Sequence, residues 1–286
     1  MSELDQLLLK EWFSPKGLRD RVIYHYTSAA GLIGILESGT LRGTSAAFLN
    51  DTSEIAYGLA VCREVLEQEC SGPGDVDRML RAQVDDALGD DAPSEIFITS
   101  FSAIRDGLGQ WRGYGSAAGR YSIGVRPAQF SERDILRFPQ AVDYDPESQH
   151  ARIRHAIEVT RRHLQHSADD RGRAFQDIVS LAFYLRRLAC TFKHPGFQPE
   201  QEWRSVISLD DSGSVSGLRF EATDGIPRPY ILMLEGSRES RRLPVTEVRV
   251  RTINRHEAAV FATRLLLQRL GYENVEVTRS DIPLAP

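Results

Sequence analysis

The sequence has few lysines, cysteines and methionines, and it has no long apolar run. Lysine occurs at only three of the 286 positions, Lys10, Lys16 and Lys193. No apolar run approaches the roughly 20 residues that a helix needs to cross a bilayer, so we expect neither a membrane span nor a membrane partner. The charged, amphipathic N-terminal residues are unlike a signal peptide, and free thiols suit a cytoplasmic protein.

Missing motifs exclude several familiar chemistries. The sequence contains no GxGxxG dinucleotide turn, no GxxxxGKS/T phosphate loop and no GxSxG nucleophile elbow. Its three cysteines lack metal-ligand spacing and are predicted to be small buried hydrophobes. Four histidines between residues 146 and 192 lack the spacing of a zinc site, so we predict solvated helix histidines and no metal. They are His150, His155, His163 and His166.

Composition and charge are those of an ordinary globular protein. Hydrophobic residues make up 41% and charged residues 26% of the chain, and 286 residues suffice to bury a sizeable core. The formal net charge of −5 argues against broad coating of nucleic acid, since neutralising phosphates needs a basic surface.

Hydrophobic periodicity predicts an α+β fold. Short β-prone runs outnumber regular strand–helix alternations, which favours a mixed, mostly antiparallel, split β-sheet core. Residues 146–192 have the apolar spacing of two helices with a charged break, so we predict a helical hairpin inserted into this body. No linker separates independent units, and residues 1–286 are predicted to form a single domain. The predicted strands cover residues 22–27, 41–45, 95–102, 121–125, 203–209, 218–222, 230–234, 245–250 and 275–278.

The most informative motif is Glu200-Gln201-Glu202-Trp203-Arg204, which leads into a predicted strand. Side chains two residues apart share one face of an extended chain, so both glutamates are predicted to point into one cleft. A surface ladder of salt bridges is the alternative interpretation. A turn-like approach from Lys193 favours a site-forming loop.

A second motif, Tyr24-His25-Tyr26-Thr27, ends a β-prone run near the start of the chain. Aromatic rings, an imidazole and a carboxylate together suit a flat, charged cofactor whose hydroxyls must be held. We therefore predict a nucleotide site, with NAD as the cofactor. The alternative is an amphipathic strand in which His25 is hydrogen-bonded within the core.

Two further segments are candidates. Ser100 and Ser102 end a predicted strand, and Trp111, Arg112 and Tyr114 follow on a predicted helical turn. Small hydroxyls and an aromatic pair three residues apart suit a slot for a flat heterocycle. The alternative is that the two rings form one helix face on the core. The segment Asn50–Glu54 is most simply a capping box at a helix start.

In the order of these motifs the chain resembles the bacterial family named domain of unknown function 2971. The resemblance extends over roughly residues 24–204. It rests on the Tyr-His-Tyr-Thr strand, on Asn50-Asp51-Thr52-Ser53-Glu54, on Ser100-Phe101-Ser102 with Trp111 and Tyr114, and on Glu200-Gln201-Glu202-Trp203-Arg204.

The same order resembles the ADP-ribosyltransferase superfamily, in particular its branch that modifies nucleic acids in toxin–antitoxin and phage-defence systems. There an aromatic-His-x-Thr strand leads into a leucine-bearing helix that ends at glycine. In this chain His25, Thr27 and Gly39 match the histidine, the threonine and the final glycine of that pattern. The resemblance implies NAD as substrate, a nucleic acid or a protein as acceptor, and an antitoxin or defence-system partner.

It also implies roles for individual residues. Glu202 would bind the ribose and stabilise the oxocarbenium-like transition state, and Glu200 would act on the acceptor. His25, flanked by Tyr26 and Thr27, would hold the adenosine-side ribose. Arg112 or Arg204 would pair with the pyrophosphate. The middle role of the site stays open among Ser100, Ser102, Trp111 and Tyr114.

Two other classes of function fit the same residues. One is a module that senses NAD or another nucleotide without turnover. The other is a metal-dependent hydrolase or nuclease that uses Glu200 and Glu202. It would need a third acidic ligand from afar, such as Asp51, Glu54 or Asp106.

Overall fold

The structure is a computed structural model of the chain. It describes residues 3–12, 21–49, 53–89, 96–113, 119–130, 137–166, 170–209, 217–223, 225–236 and 242–282. Asn50, Asp51, Thr52 and Tyr114, which the sequence singled out, lie outside them.

Eight α-helices and ten strands are assigned within the described residues. The helices are α1 (Glu3–Trp12), α2 (Ala29–Ser38), α3 (Ser53–Glu69), α4 (Asp75–Ala87), α5 (Leu108–Gly113), α6 (Pro146–His166), α7 (Arg171–Ala189) and α8 (His256–Arg269). The strands are β1 (Ile23–Ser28), β2 (Thr40–Ser45), β3 (Ile96–Ser102), β4 (Gly119–Val125), β5 (Gln140–Ala141), β6 (Glu202–Ser208), β7 (Arg219–Thr223), β8 (Ile226–Glu235), β9 (Val245–Thr252) and β10 (Glu276–Arg279). In none of these helices is there a segment long and apolar enough to traverse a bilayer.

The strands form one open, mixed sheet. Its main path runs in the order β10-β9-β4-β1-β3-β2-β8-β7, and β6 adds to β3 with β5 beyond it. The β9–β10 pair is parallel, whereas the other named pairs are antiparallel. The sheet is therefore mostly antiparallel, as the sequence predicted.

Strand β3 is the point at which the sheet splits. One edge of β3 pairs with β6 along its whole length, from Ile96 to Ser102. Its other edge is shared, because β2 pairs with Phe97 and Ile98 whereas β1 pairs with Ser102. The strands β1 and β2 thus diverge around Thr99 and Ser100, and this divergence opens a gap in the sheet.

Two hydrophobic cores lie on opposite faces of the sheet. Ile96 and Ile98 of β3 belong to the core shared with α1, α3, α4, α6 and α7. Phe97 between them belongs to the second core, which α2 and α8 cover. This alternation follows from the two-residue period of a strand. The three cysteines are free thiols buried on the helical side, as predicted.

The predicted helical hairpin is confirmed as α6 and α7. It packs against α3, and Gly58 makes that packing close. A Cβ at Gly58 would lie 2.0 Å from the backbone carbonyl oxygen of Ala189, so a side chain there would force the helices apart. The hairpin is thus part of a helical layer, and this layer supplies residues to the gap in the sheet. The α+β class is confirmed, and the single-domain organisation stays a prediction.

Candidate functional site

A cavity of about 500 Å³ occupies the gap where β1 and β2 diverge. Its size lies within the range that small-molecule ligands fill. Strands from both sides of the split line it, together with α5 and the turn Pro195–Glu200. The lining side chains include His25, Tyr26, Thr27, Ser28, Arg42, Thr44, Glu54, Ile98, Thr99, Ser100, Gln110, Lys193, Phe197, Glu200, Arg204 and Arg228.

His25 bridges the gap with its ring. The Nδ1 atom lies 2.9 Å from the carbonyl oxygen of Ser100, and among the described residues Ser100 has no strand partner on that side. A carbonyl oxygen only accepts, so Nδ1 carries the proton and Nε2 of the neutral ring is an acceptor. Burial lowers the pKa of His25 below its ordinary value of 6.5, although the hydrogen bond to Ser100 opposes this. His25 is therefore a neutral acceptor at pH 7.

The end of β1 and the start of α2 form the next part of the wall. Ser28 is the N-cap of α2, and its hydroxyl accepts a hydrogen bond of 3.1 Å from the Gly31 amide. A Cβ at Gly31 would lie 2.0 Å from Thr27 Oγ1. The absence of a side chain at Gly31 therefore allows the Thr27 hydroxyl to lie against the first turn of α2. The positive end of the α2 dipole thus faces the same wall as Thr27.

Lys193 is the centre of a carboxylate cluster at one end of the cavity. Its ammonium lies 2.8 Å from Glu54, 2.5 Å from Glu200 and 3.0 Å from Glu202. Lys193 itself is only 2% exposed. Burial alone would lower the pKa of its ammonium, but the carboxylates of Glu202, Glu200 and Glu54 together outweigh burial and raise this pKa. Among the described residues no group of three His, Cys, Asp or Glu side chains is placed to hold a metal ion. The ammonium of Lys193 lies among the three carboxylates.

Arg204 completes the cluster from β6. Its guanidinium donates to both oxygens of Glu202, at 2.8 and 2.9 Å, and it contacts Glu54 and the Cys190 carbonyl. Burial alone would raise the pKa of Glu202, but Arg204 and then Lys193 outweigh it and hold this pKa below its ordinary value. Three carboxylates against two cations leave one net negative charge at this end of the cavity.

The end of the cavity formed by β2 and β8, which lie across β3 from β6, is positive. Arg42 and Arg228 both line it and share one carboxylate, that of Glu221. The Arg42 guanidinium also lies over the ring of Tyr230, 4.4 Å from its centroid. Two guanidinium groups against one carboxylate leave one net positive charge. The cavity therefore has ends of opposite charge.

Most of the sequence-predicted residues come together at this cavity. Its wall contains six of them, namely His25, Tyr26, Thr27, Ser100, Glu200 and Arg204. The hydroxyl of Tyr26 already makes hydrogen bonds within the protein, because it donates to the Ile104 carbonyl oxygen at 2.7 Å and accepts from the Gly107 amide. It therefore offers a ligand little further hydrogen bonding. Burial raises the pKa of Tyr26 to about 12, so it stays neutral.

Other predicted residues lie elsewhere. Trp111 is fully buried against Tyr26, and its Nε1 donates to Asp106 at 2.5 Å. Ser102 is buried, and its hydroxyl donates to the Glu200 carbonyl at 2.7 Å. Arg112 is exposed on α5 and does not line the cavity. The aromatic slot predicted from the sequence is therefore not formed by Trp111.

The two glutamates differ in position more than their spacing indicated. Glu200 ends a 3-10 turn, and Gln201 has a left-handed backbone with φ 44°, so the chain is not extended between them. The Glu200 side chain is 37% exposed and lines the cavity, whereas Glu202 is 4% exposed. Glu202 reaches only a recess of about 10 Å³ shared with Ser100 and Gln110. The extended backbone that was expected to place both glutamates on one face is therefore not observed.

Sequence reasoning also missed several contributors. Glu54 had been considered only as a distant acidic ligand, and it does reach the cluster from the first turn of α3. The scarcity of lysine could have drawn attention to Lys193, which is one of only three lysines in the sequence. No sequence pattern distinguished Arg42 and Arg228, because arginine is abundant in this chain. His163 was predicted to be solvated, but its Nδ1 lies 2.8 Å from buried Asp177.

In the comparison with known proteins, one family model matches part of the chain. No curated protein and no solved structure matches the chain. The segment that the family model matches runs from α5 into β6 and covers about a third of the sequence. It includes Lys193, Glu200, Glu202 and Arg204, whereas His25 lies outside it. Over residues 110–205 the chain matches the family described as "Protein of unknown function (DUF2971)".

Proposed function

We propose that the cavity binds NAD and that the protein transfers the ADP-ribose group of NAD to an acceptor. The acceptor class implied by the sequence resemblance is a nucleic acid or a protein, in a toxin or phage-defence setting. The observation that carries the proposal is the opposite charge of the two ends of one cavity. NAD has the same asymmetry, because its nicotinamide ring is cationic and its pyrophosphate is anionic.

The charges suggest how NAD would lie. Arg42 and Arg228 offer planar donors that suit the pyrophosphate, and the N-terminus of α2 adds its dipole. The cluster around Lys193 has one net negative charge and would face the nicotinamide end. Between them, Nε2 of His25 and the Thr27 hydroxyl line the wall and suit ribose hydroxyls.

Glu200 is the carboxylate best exposed to such a ligand. Cleavage of the nicotinamide–ribose bond leaves its electron pair on nicotinamide and positive charge on the sugar, which a nearby carboxylate stabilises. The acceptor nucleophile then bonds to the ribose carbon and loses its proton to Glu200 or to solvent. The roles expected for the two glutamates are therefore changed in this proposal. Glu200 faces the ligand, and Glu202 positions Lys193 and Arg204 behind it.

A nucleotide sensor without turnover is the second candidate. It is favoured by the ion pairing of the carboxylates, since Lys193 contacts Glu200 as well as Glu202. A carboxylate neutralised in this way is a weaker base and a weaker electrostatic partner for a cationic transition state. Such a module would bind NAD through the same residues but would release no nicotinamide.

The test measures NAD binding by calorimetry and nicotinamide release by chromatography, with and without DNA, RNA or protein acceptors. We expect binding by the wild type and release that an acceptor stimulates. Glu200→Gln should lower release by about 10²–10³-fold. His25→Asn keeps a donor for Ser100 but lacks the atom at Nε2, and it should weaken NAD binding about tenfold.

Glu67→Gln is the matched control, because Glu67 is exposed on α3 and remote from the cavity lining. It should behave as the wild type in both assays. Binding without release under every acceptor condition would select the sensor. Absence of NAD binding by the folded wild type would overturn both candidates.

A further inference from the structure

The side chain of Gln110 is a buried amide at the negatively charged end of the main cavity. Gln110 lies on α5 and is only 9% exposed. It lines both the main cavity and the small recess that Glu202 reaches, and among the described residues its side chain has no hydrogen-bond partner. Burying a primary amide without a partner costs free energy, so the position of this side chain needs a reason beyond the fold.

The other polar side chains around the recess already have partners within the protein. Tyr24 donates to a carboxylate at 2.9 Å, and the hydroxyl of Tyr26 bonds to two backbone groups. Glu202 is held by two cations, and the hydroxyl of Ser100 bonds to it as well. In the described lining of the recess, the amide of Gln110 is therefore the polar group that is left for a ligand.

Two glycines of α5 leave the cavity wall open beside Gln110. Gly109 and Gly113 both line the main cavity, and a Cβ at either position would meet no atom within 4 Å. Residues four apart lie on the same face of a helix, so the two glycines share the face that borders the cavity. A flat ligand group can therefore come close to the backbone of α5 next to the Gln110 amide.

The two ends of the Gln110 amide face different surroundings. The amide has a donor end at Nε2 and an acceptor end at Oε1. The recess contains the Glu202 carboxylate, an acceptor, and its volume of about 10 Å³ has room for at most one water molecule. The recess therefore favours the donor end, which turns Oε1 toward the main cavity. A ligand that pairs with Gln110 there has to present an N–H donor.

We propose that Gln110 accepts a hydrogen bond from the carboxamide of nicotinamide and selects NAD against dinucleotides that lack this N–H. The assignment rests on the binding of NAD proposed above, and it names the residue that recognises the pyridine substituent. Gln110 lies at the end where the net negative charge around Lys193 would face the cationic ring. A carboxylate in place of the carboxamide is rejected for two reasons, because it has no N–H for Oε1 and because the same negative charge repels it.

The test is calorimetry with NAD, with its 3-acetylpyridine form and with its nicotinic acid form, which differ only at the pyridine substituent. The wild type should bind NAD about tenfold more tightly than the acetylpyridine form, which loses one hydrogen bond, and should bind the acid form most weakly. Gln110→Met has a similar size but no amide. It should weaken NAD binding about tenfold and leave the affinity for the acetylpyridine form unchanged, so the preference between the two disappears. Gln268→Met, on the exposed side of α8, is the matched control and should keep the preference.

Thermal unfolding of the ligand-free protein separates ligand recognition from a structural role. Because the Gln110 amide has no partner among the described residues, Gln110→Met should leave the Tm unchanged or raise it. A lower Tm of Gln110→Met with an unchanged preference for NAD would assign the side chain to the core and overturn the proposal.

The wild type alone provides a further test that does not depend on the variant. Equal affinities for NAD and for its acetylpyridine form would overturn the role of Gln110 and leave NAD binding standing. Absence of NAD binding by the folded wild type would overturn the proposed function and this assignment with it. A wild type that prefers NAD as expected, loses this preference in Gln110→Met and yet releases no nicotinamide would support the assignment and select the sensor.

Discussion

The ammonium of Lys193 lies 3.0 Å from the carboxylate of Glu202, and both side chains are almost completely buried. The pair connects the segment after α7 to the start of β6, and Glu54 of α3 joins it. Burying charges is costly unless they are paired, so each member of this cluster depends on the others. The cluster therefore holds the helical layer against the split in the sheet.

The two glutamates are expected to differ in their effect on stability. Glu202→Gln removes the negative charge that pairs with buried Lys193 and Arg204. It should therefore lower the free energy of unfolding by about 3–5 kcal/mol. Glu200→Gln removes a partly exposed partner and should cost less than about 1 kcal/mol. Urea unfolding of the two variants measures both values. Equal losses would contradict the difference in burial.

The effect of Glu202→Gln should depend on pH. The pKa of Glu202 is held below its ordinary value of 4.5, so the stability that this carboxylate contributes is fully present above pH 4.5. That contribution is lost as the pH falls through the lowered folded-state pKa. The difference in unfolding free energy between wild type and Glu202→Gln should therefore narrow below pH 4.5. A difference in unfolding free energy that stays constant from pH 7 to pH 3 would contradict the lowered pKa of Glu202.

His25 should stay neutral in the folded protein at physiological pH. Its pKa lies below 6.5, so the unfolded chain binds more protons as the pH falls below 6.5, and stability decreases there. The ring resonances of His25 should titrate with a midpoint below 6.5 in an NMR experiment. A midpoint of His25 at or above 6.5 would refute the assigned acceptor at Nε2.

Two glycines of α2 should respond differently to alanine. Gly31→Ala places a Cβ 2.0 Å from Thr27 Oγ1 and should destabilise the protein by about 1–3 kcal/mol. In a Thr27→Ala background that cost should shrink, because the clashing oxygen is gone. Gly34→Ala is the control, since nothing lies closer than 4.0 Å to its Cβ, and it should stabilise the helix by about 0.5–1 kcal/mol. Thermal unfolding of the four variants provides the comparison.

Much of the fold was predictable because its periodic patterns are local. The strand predicted over residues 95–102 is observed as β3, and the hairpin predicted over residues 146–192 is observed as α6 and α7. The split was predicted as a property of the sheet, but its location was not. It depends on which strands share one edge of β3, and that pairing joins residues far apart in sequence.

The site was predictable only in part for a related reason. His25 and Glu200 were found from short motifs, and both line the cavity. The spacing of Glu200 and Glu202 indicated a common face, but the left-handed backbone at Gln201 breaks the extended geometry. Trp111 had the composition of a stacking residue, yet its burial depends on Tyr26 and on the loop that holds Asp106. Such tertiary contacts leave no local pattern.

The wall of the cavity is assembled from residues spread along the chain from His25 to Arg228. During translation at about 5–20 residues per second, on the order of 10–40 s separate the emergence of these two side chains from the ribosome. A nascent chain that ends before Lys193 carries His25 and Glu54 but has neither the ammonium nor the β6 carboxylate that pair in the finished protein. The wall of this cavity can therefore be completed only after synthesis has passed Arg228.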